Sequence, residues 1–235
     1  MAERMCLFFW RDILRAQFAL PQQSPYHFQM AADVSHDFLV QVDAHKAVST
    51  LEDRILQRSA CLFAEQGFLH LPDLLSAEIK TYLNGKISGL VFKESVHEVG
   101  AEQTAVSFEL ANQLNFILWQ SDFVKFIEKV TATRIMDFAG RLYQLKPNCL
   151  DHHFDWHNDL VVPPRQVGLS LNLSPGPYLG GQFQIRSIEL SKTIHTFHNT
   201  NFGDAFIFRI DENWQHRVTS VVGQNPKISF AGWFR

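Results

Sequence analysis

The spacing of apolar positions divides the chain into two parts that meet near residue 135. Before that point, apolar residues recur at intervals of three and four, which is typical of amphipathic helices. After it, short apolar runs are separated by breaks that contain Gly and Pro, which is typical of strands and turns. Helices and strands in separate blocks argue against a Rossmann-type sheet, in which the two alternate.

Four helices are predicted in the first part. Ser49-Thr50-Leu51-Glu52 is a capping box for a helix that continues to about Glu65, and Gly67 suits the position after its end. The other predicted helices are Ser76 to about Gly85, Val106–Trp119, and one capped by Ser121 with a stripe of Phe123, Phe126, Ile127 and Val130. Phe68–Leu71 is predicted as a short strand, and the first forty-odd residues as an irregular arm or packing layer.

Six strands are predicted in the second part: Ile135–Lys146, Gln166–Leu173, Gln182–Ser187, Ala205–Arg209, Arg217–Val222 and Lys227–Phe234. Short strands behind a helical block predict a mainly β protein with α, a small antiparallel barrel or jelly roll buttressed by helices. We interpret residues 1–235 as a single domain, with 1–134 as a mainly helical N-terminal layer and 135–235 as the jelly-roll core. Two poorly patterned segments, Ser88–Thr104 and Ser187–Asn201, are candidates for a substrate lid.

Composition narrows the class of protein. The chain is 46% hydrophobic and 19% charged, which excludes intrinsic disorder. Its net charge of -3 argues against nucleic acid as a partner. Three widely spaced cysteines fit neither a disulfide framework nor a zinc motif, which favours a reducing compartment. No signal peptide or membrane-spanning stretch is predicted, so we expect a cytoplasmic protein with no membrane partner.

The segment Asp151–Leu160 concentrates chemistry, because it holds three histidines and three carboxylates in ten residues. Residues i and i+2 of an extended segment point the same way, so His157 and Asp159 can converge on one metal ion. A third ligand must come from elsewhere, and His216 is the best candidate. Two histidines and one carboxylate form the facial triad that binds non-haem Fe(II) and leaves coordination positions open.

Lys227 opens the last predicted strand, eleven residues after His216. On an alternating strand it shares one face with Ser229, Ala231 and Trp233. A lysine inside an apolar barrel is costly unless it meets an anion. A dicarboxylate co-substrate that chelates the metal would supply that anion.

These residues resemble the 2-oxoglutarate- and Fe(II)-dependent oxygenases, most closely their prolyl-hydroxylase-like branch. The resemblance covers about residues 135–235 in order. It is carried by His157-Asn158-Asp159, Gly180-Gly181-Gln182-Phe183, Gly203-Asp204-Ala205-Phe206-Ile207-Phe208, His216-Arg217-Val218, Lys227 and Trp233. The fold that it implies is a double-stranded β-helix, a cupin-like jelly roll.

The resemblance implies roles for individual residues. His157, Asp159 and His216 would bind Fe(II), and Lys227 would pair with the distal carboxylate of 2-oxoglutarate. Tyr143 would lie beside this co-substrate, and Ser229 would add a hydroxyl next to Lys227. The implied enzyme is a dioxygenase that hydroxylates an unactivated C–H bond with release of succinate and CO2, and ascorbate is a candidate reductant.

Several alternatives stay open at this point. His153-Phe154-Asp155 is a second His-x-Asp with the same parity, and only the resemblance favours the later pair. A cupin-like metal enzyme without 2-oxoglutarate, or a non-catalytic binding protein, could use the same barrel; the former has no need of a buried Lys227. Arg141 is the next candidate anchor for the co-substrate. The substrate could be an amino acid, a peptide or protein side chain, or a small metabolite.

Overall fold

Helices occur where the first part of the chain predicts them. The computed structural model describes residues 39–48, 53–161, 164–189, 192–198 and 201–235. Its helices are α1 (Asp53–Gln66), α2 (Ala77–Ile87), α3 (Glu109–Leu118) and α4 (Ser121–Thr131). Gly67, with φ 75°, ends α1 by donating its N–H to the Phe63 carbonyl. The capping box predicted at Ser49–Glu52 lies outside the described residues.

The helix boundaries differ from prediction at three points. Helix α3 begins at Glu109 because the Val106 N–H is already bonded to the Val91 carbonyl, in extended pairing. The N-cap of α4 is Gln120, and the predicted cap, Ser121, is its first helical residue. Helix α2 continues past Gly85 to Ile87, and Ser76, which was predicted as its first residue, is its N-cap, since the Ser76 hydroxyl accepts the Ile79 N–H. The predicted apolar stripe of α4 is buried throughout.

Most strands belong to one antiparallel sheet that curls into a half-barrel, which confirms the predicted double-stranded β-helix. The strands are β1 (Gln41–Val42), β2 (Ala47–Val48), β3 (Phe68–Leu71), β4 (Phe92–His97), β5 (Gly100–Ala105), β6 (Phe138–Leu145), β7 (Phe154–His157), β8 (Val167–Asn172), β9 (Leu179–Gly180), β10 (Phe183–Ser187), β11 (Lys192–Phe197), β12 (Ala205–Arg209), β13 (Trp214–Val218), β14 (Val221–Val222) and β15 (Lys227–Phe234). The order in the large sheet is β11-β10-β13-β7-β5-β6-β15-β8-β12-β3, and β4 pairs with β5.

Some strands were not predicted. The supposed lid segment at Ser88–Thr104 is a polar hairpin, β4–β5, that joins the sheet beside β6 and β7. The other supposed lid segment contains the edge strand β11. The single strand predicted over Arg217–Val222 is divided into β13 and β14, because β14 leaves the large sheet and pairs with β9.

Two apolar cores lie on opposite faces of the sheet. Alternation along β12 shows the division: Ile207 packs in the core that includes the helices, whereas Phe206 and Phe208 pack in the core inside the curl. On the neighbouring strand, Gly168 makes room for the Phe208 ring, since a Cβ there would come within 2.1 Å of it. The inner core surrounds the predicted functional residues.

The described residues, from 39 to 235 with their gaps, fall in one compact unit. The single-domain prediction covers residues 1–235, so it extends over positions outside the described ranges and stays a prediction. Within those ranges, no helix is both long and apolar enough to cross a membrane. The N-terminal part holds the four described helices, as expected, but it also contributes β3, β4 and β5 to the large sheet.

Candidate metal and co-substrate site

The structure brings His157, Asp159 and His216 together on two neighbouring strands. His157 ends β7 and is the cross-strand partner of His216 on β13, with ring centroids 4.2 Å apart. Asp159 follows β7 with φ 57° and places Oδ1 3.8 Å from His157 Nε2 and Oδ2 3.4 Å from His216 Nε2. The three ligand atoms lie within 4.8 Å of one another, and no other such group of three occurs in the described part of the chain.

The surroundings orient both histidine rings and favour the neutral form of His157. Asp155 accepts a hydrogen bond of 2.7 Å at its backbone carbonyl from His157 Nδ1, which leaves the Nε2 lone pair facing the group. Burial, followed by the nearby His216, lowers the pKa of His157. His216 is buried and its ring stacks on Phe183 at 5.2 Å, which fixes its orientation.

Asp159 is held as a carboxylate by several donors. Burial alone would raise its pKa, but His216 and Trp233 hold the pKa well below its usual range. Trp233 donates its indole N–H to Oδ2 at 2.8 Å, and Arg165 donates to Oδ1 at 3.0 Å. The Arg165 guanidinium also lies over the Trp233 ring at 3.9 Å. The sequence did not predict these two contacts, although Trp233 was placed on the same face as Lys227.

The competing pair, His153 and Asp155, is arranged differently. Their nearest side-chain atoms are 3.6 Å apart, but the Asp155 side chain is 76% exposed. His153 Nδ1 is bonded to the Leu150 carbonyl at 2.8 Å. No third ligand joins this pair among the described residues. The geometry therefore favours His157 and Asp159 as the His-x-Asp of a metal site.

Lys227 lies at the start of β15 and is only 4% exposed. Its ammonium donates to the Gly181 carbonyl at 2.7 Å, and it forms no ion pair with a described carboxylate. Burial lowers its pKa to about 7. It lines a small cavity of about 10 Å³. The polar wall of this cavity includes Asn172, Tyr178, His198, Lys227 and Ser229.

Hydroxyl groups complete this wall. Ser229 Oγ is buried and has no hydrogen-bond partner within the described ranges. Tyr143 is the cross-strand partner of Ser229, and its pKa is raised to about 12, chiefly by burial. Burial also raises the pKa of Tyr178, a residue that the sequence analysis missed although it follows the Pro175-Gly176-Pro177 turn. Both phenols stay protonated near neutral pH and can donate to an anion.

Arg141, the next candidate anchor, is engaged elsewhere. Its guanidinium makes a bidentate pair with the fully buried Glu102, at 2.8 and 3.0 Å.

The residues of the site fit the two groups that the sequence led us to expect. The His, Asp and His donors suit Fe(II), while a buried ammonium and an unsatisfied hydroxyl suit a carboxylate.

Comparison with known proteins agrees with this site. Residues 141–235 match the 2OG-Fe(II) oxygenase superfamily. A prolyl-4-hydroxylase from Pseudomonas putida superposes with a TM-score of 0.58 and 18% identity, over 77% of this chain and 98% of that one. A prolyl hydroxylase from Trichoplax adhaerens, solved with a hypoxia-inducible-factor peptide fragment, gives 0.55 and 14% over 79% and 94%. No curated protein sequence matches the chain.

A third structure widens the chemistry found on this fold. It is an α-ketoglutarate-dependent epimerase from nogalamycin biosynthesis, with a TM-score of 0.56 and 11% identity over 78% of this chain and 83% of that one. At such identities the three structures show a shared fold alone.

The curled jelly roll brings two histidines and a carboxylate together, which is the ligand set of a non-haem metal centre. Residues 141–235, which include all three candidate metal ligands, match the 2OG-Fe(II) oxygenase superfamily, and the prolyl hydroxylases among the structural neighbours share the fold. The matched family implies Fe(II) as the cofactor and 2-oxoglutarate and O2 as co-substrates.

Proposed function

We propose that this protein is a hydroxylase in which His157, Asp159 and His216 bind Fe(II) and Lys227 binds the distal carboxylate of 2-oxoglutarate. The observation that carries the proposal is the convergence of the three ligand atoms within 4.8 Å. The buried ammonium of Lys227, which forms no ion pair with a described carboxylate, supports the 2-oxoglutarate part, because a cupin-like enzyme without this co-substrate has no use for it.

When bound, Fe(II) with 2-oxoglutarate and O2 supplies the oxidising chemistry: one oxygen atom enters a substrate C–H bond to give an alcohol, and the other enters succinate as CO2 leaves. Asp159 contributes a negative charge that Trp233 and Arg165 keep in one orientation. Tyr143 and Ser229 lie beside Lys227 as further donors toward the co-substrate. Phe183 and Phe208 exclude water from His216.

For the substrate, we propose an amino acid, a peptide or protein side chain, or a small metabolite. The prolyl hydroxylases among the structural neighbours support a peptide or amino-acid substrate, and one of them was solved with a peptide fragment. The epimerase neighbour is the reason to keep small metabolites in the screen.

The test begins with anaerobic reconstitution with Fe(II) and 2-oxoglutarate. A chelated keto acid should give a weak visible charge-transfer band. His157→Ala, Asp159→Ala and His216→Ala should each abolish the band, whereas the matched controls His153→Ala and Asp155→Ala should retain it. Loss of the band only in the two controls would reassign the metal site. Aerobic incubation with a peptide and metabolite panel, with succinate as the readout, then identifies the substrate class.

A further inference from the structure

An aromatic side chain lies between two cations on the outer face of the sheet, behind the metal site. Trp156 lies on β7, next to His157. The guanidinium of Arg186 on β10 is 4.4 Å from the Trp156 ring centroid, and that of Arg217 on β13 is 4.7 Å from it. All three side chains are half-buried.

Strand β7 needs such support because its backbone pairing is sparse. Against β13 it has two paired positions, His157 with His216 and Phe154 with Val218, and the register shifts between them. Against β5 it has one, Phe154 with Gly100. A four-residue strand with so few ladder positions is weakly fixed in rotation and spacing.

The stack is tied to the metal-ligand positions through the backbone. Trp156 precedes His157, and Arg217 follows His216, so each stacked side chain points away from a ligand on the same strand. Arg186 is the cross-strand partner of Gln215, which precedes His216. Holding the three outer side chains together therefore fixes the rotation of the strands that carry the two histidines.

Each arginine of the stack also makes a hydrogen bond on the outer face. Arg186 donates to Gln215 Oε1 at 2.9 Å, and Arg217 donates to Gln184 Oε1 at 2.6 Å. These bonds run between β10 and β13, whereas the Trp156 contacts bring in β7. The outer face thus joins three strands of which two carry histidine ligands.

We propose that Trp156 is a positioning residue for the metal centre: clamped between Arg186 and Arg217, it holds β7 against β13 so that His157 and Asp159 meet His216. This inference rests on the proposed function, since it assumes that these three residues bind the metal. Two cation–π contacts at a half-exposed site correspond to about 5- to 30-fold in an equilibrium constant.

The experiment measures the dissociation constant of Mn(II) for the whole chain, without oxygen or 2-oxoglutarate, from the electron paramagnetic resonance signal of free Mn(II). Trp156→Leu should weaken binding by about 5- to 30-fold, and Trp156→Phe, which keeps an aromatic face, should recover part of the loss. Tyr82→Leu is the matched control, because it removes an exposed aromatic ring that lies 5.7 Å from the Lys86 ammonium on α2. It should bind Mn(II) like wild type.

Thermal unfolding of the metal-free variants separates positioning from stability. A merely structural role would lower the melting temperature but leave the Mn(II) affinity of the folded protein unchanged. If Trp156→Leu is unfolded at 25 °C, the double variant Arg186→Met/Arg217→Met, which keeps the indole, makes the same test. Wild-type affinity in these folded variants would overturn the inference. If wild type binds Mn(II) no better than Asp159→Ala, the proposed function itself is wrong.

Discussion

Lys227 is a buried charge whose partner is a backbone carbonyl. Folding removes the ammonium from water and lowers its pKa to about 7, while Gly181 supplies one acceptor. Most of the desolvation of this group is therefore complete before any ligand arrives. A carboxylate that reaches Nζ gains a charge-assisted hydrogen bond in a place where water competes little.

Removing this amine tests whether it binds the co-substrate. Truncating one partner of a buried, hydrogen-bonded charge pair costs about 2 to 5 kcal/mol, which is roughly 30- to 5,000-fold in affinity. We expect Lys227→Ala to weaken 2-oxoglutarate binding by at least the lower figure and to keep Mn(II) binding. Lys227→Arg should recover part of the affinity. Titration of the charge-transfer band measures the 2-oxoglutarate affinity of both variants. Wild-type affinity in Lys227→Ala would contradict the role of Lys227 in binding 2-oxoglutarate.

The lowered pKa predicts a pH dependence. The pKa of Lys227 is about 7 in the free folded protein against 10.5 as its ordinary value, so between these values the unfolded chain binds more protons and stability rises with pH. A bound carboxylate favours the ammonium, so binding takes up a proton above pH 7. We expect 2-oxoglutarate affinity to fall by up to about tenfold per pH unit above that value.

Isothermal titration of the Mn(II)-loaded protein between pH 6.5 and 8.5 checks this slope. Tyr143, Tyr178 and His198 also face or adjoin the pocket. The phenols stay protonated in this range because their pKa values are raised. Lys227→Met removes only the amine, so a slope that persists in this variant would assign the titration to another group.

At the residue scale, the sequence predicted the functional groups that lie close together in the chain or that follow one another in the order of a family motif. His157 and Asp159 are two positions apart, and His216 and Lys227 follow at spacings that the family shares. Trp233 donates to a carboxylate 74 positions away, a contact that requires the curled sheet. Tyr178 likewise reaches the pocket only because its turn folds over Lys227.

At the element scale, the β4–β5 hairpin supports the segment that leads into β7. Glu94 on β4 accepts from His152 Nε2 at 2.8 Å, while His152 Nδ1 accepts the Lys146 N–H at 3.0 Å. The sequence could not predict this hairpin, because its polar strands lack apolar alternation and are ordered by their neighbours. The segment that was predicted as a substrate lid is therefore part of the sheet that supports β7.

Substitution of His152 tests directly whether this hairpin contact supports the fold. It is 2% exposed, and His152→Ala leaves the Lys146 N–H without its acceptor. We expect a loss of about 1 to 3 kcal/mol in the free energy of unfolding, measured with urea. His153→Ala changes the neighbouring, more exposed histidine and should have a smaller effect. Equal losses of unfolding free energy in the two variants would show that the buried hydrogen bond of His152 makes no particular contribution to stability.

Gly100 gives a second test at the same place. It has φ 148°, and a Cβ there would lie 1.9 Å from the His153 carbonyl oxygen, which is backbone and cannot move freely. Gly100→Ala should therefore cost about 3 kcal/mol or more in stability. Gly85→Ala is the contrasting control, since nothing lies within 4 Å of its added methyl on α2, and it should stabilise by up to about 1 kcal/mol. Urea unfolding of both variants measures these changes. Wild-type stability in Gly100→Ala would contradict the close approach between Gly100 and the His153 carbonyl.

At the scale of the whole molecule, the two cores explain what sequence patterning could reach. Alternation along β15 predicted one face with Lys227 and Ser229 and another with Ile228 and Phe230, and the structure places the apolar pair in the core that includes the helices. The curl of the sheet depends on close approaches such as Gly168 to Phe208, which no local pattern contains. The jelly-roll class was therefore predictable, whereas the strand order through β5 and β7 was not.

Metal binding should stabilise the whole molecule, since its ligands come from separate strands. A metal that binds only the folded state adds about 2.7 kcal/mol at 100 times its dissociation constant. We expect Mn(II) to raise the melting temperature of wild type and to have no effect on Asp159→Ala. An equal shift in both proteins would mean that the metal binds elsewhere.

The bond between Lys227 and the Gly181 carbonyl has a consequence for selectivity. The ammonium is fixed at one end of the pocket, and strands β7 and β13 fix the triad. Because both ends are fixed, the distance between them sets the length of the diacid that can bind to both. Oxaloacetate, one methylene shorter than 2-oxoglutarate, and 2-oxoadipate, one methylene longer, should each fail to reach both ends without strain, so the enzyme would select its co-substrate by length.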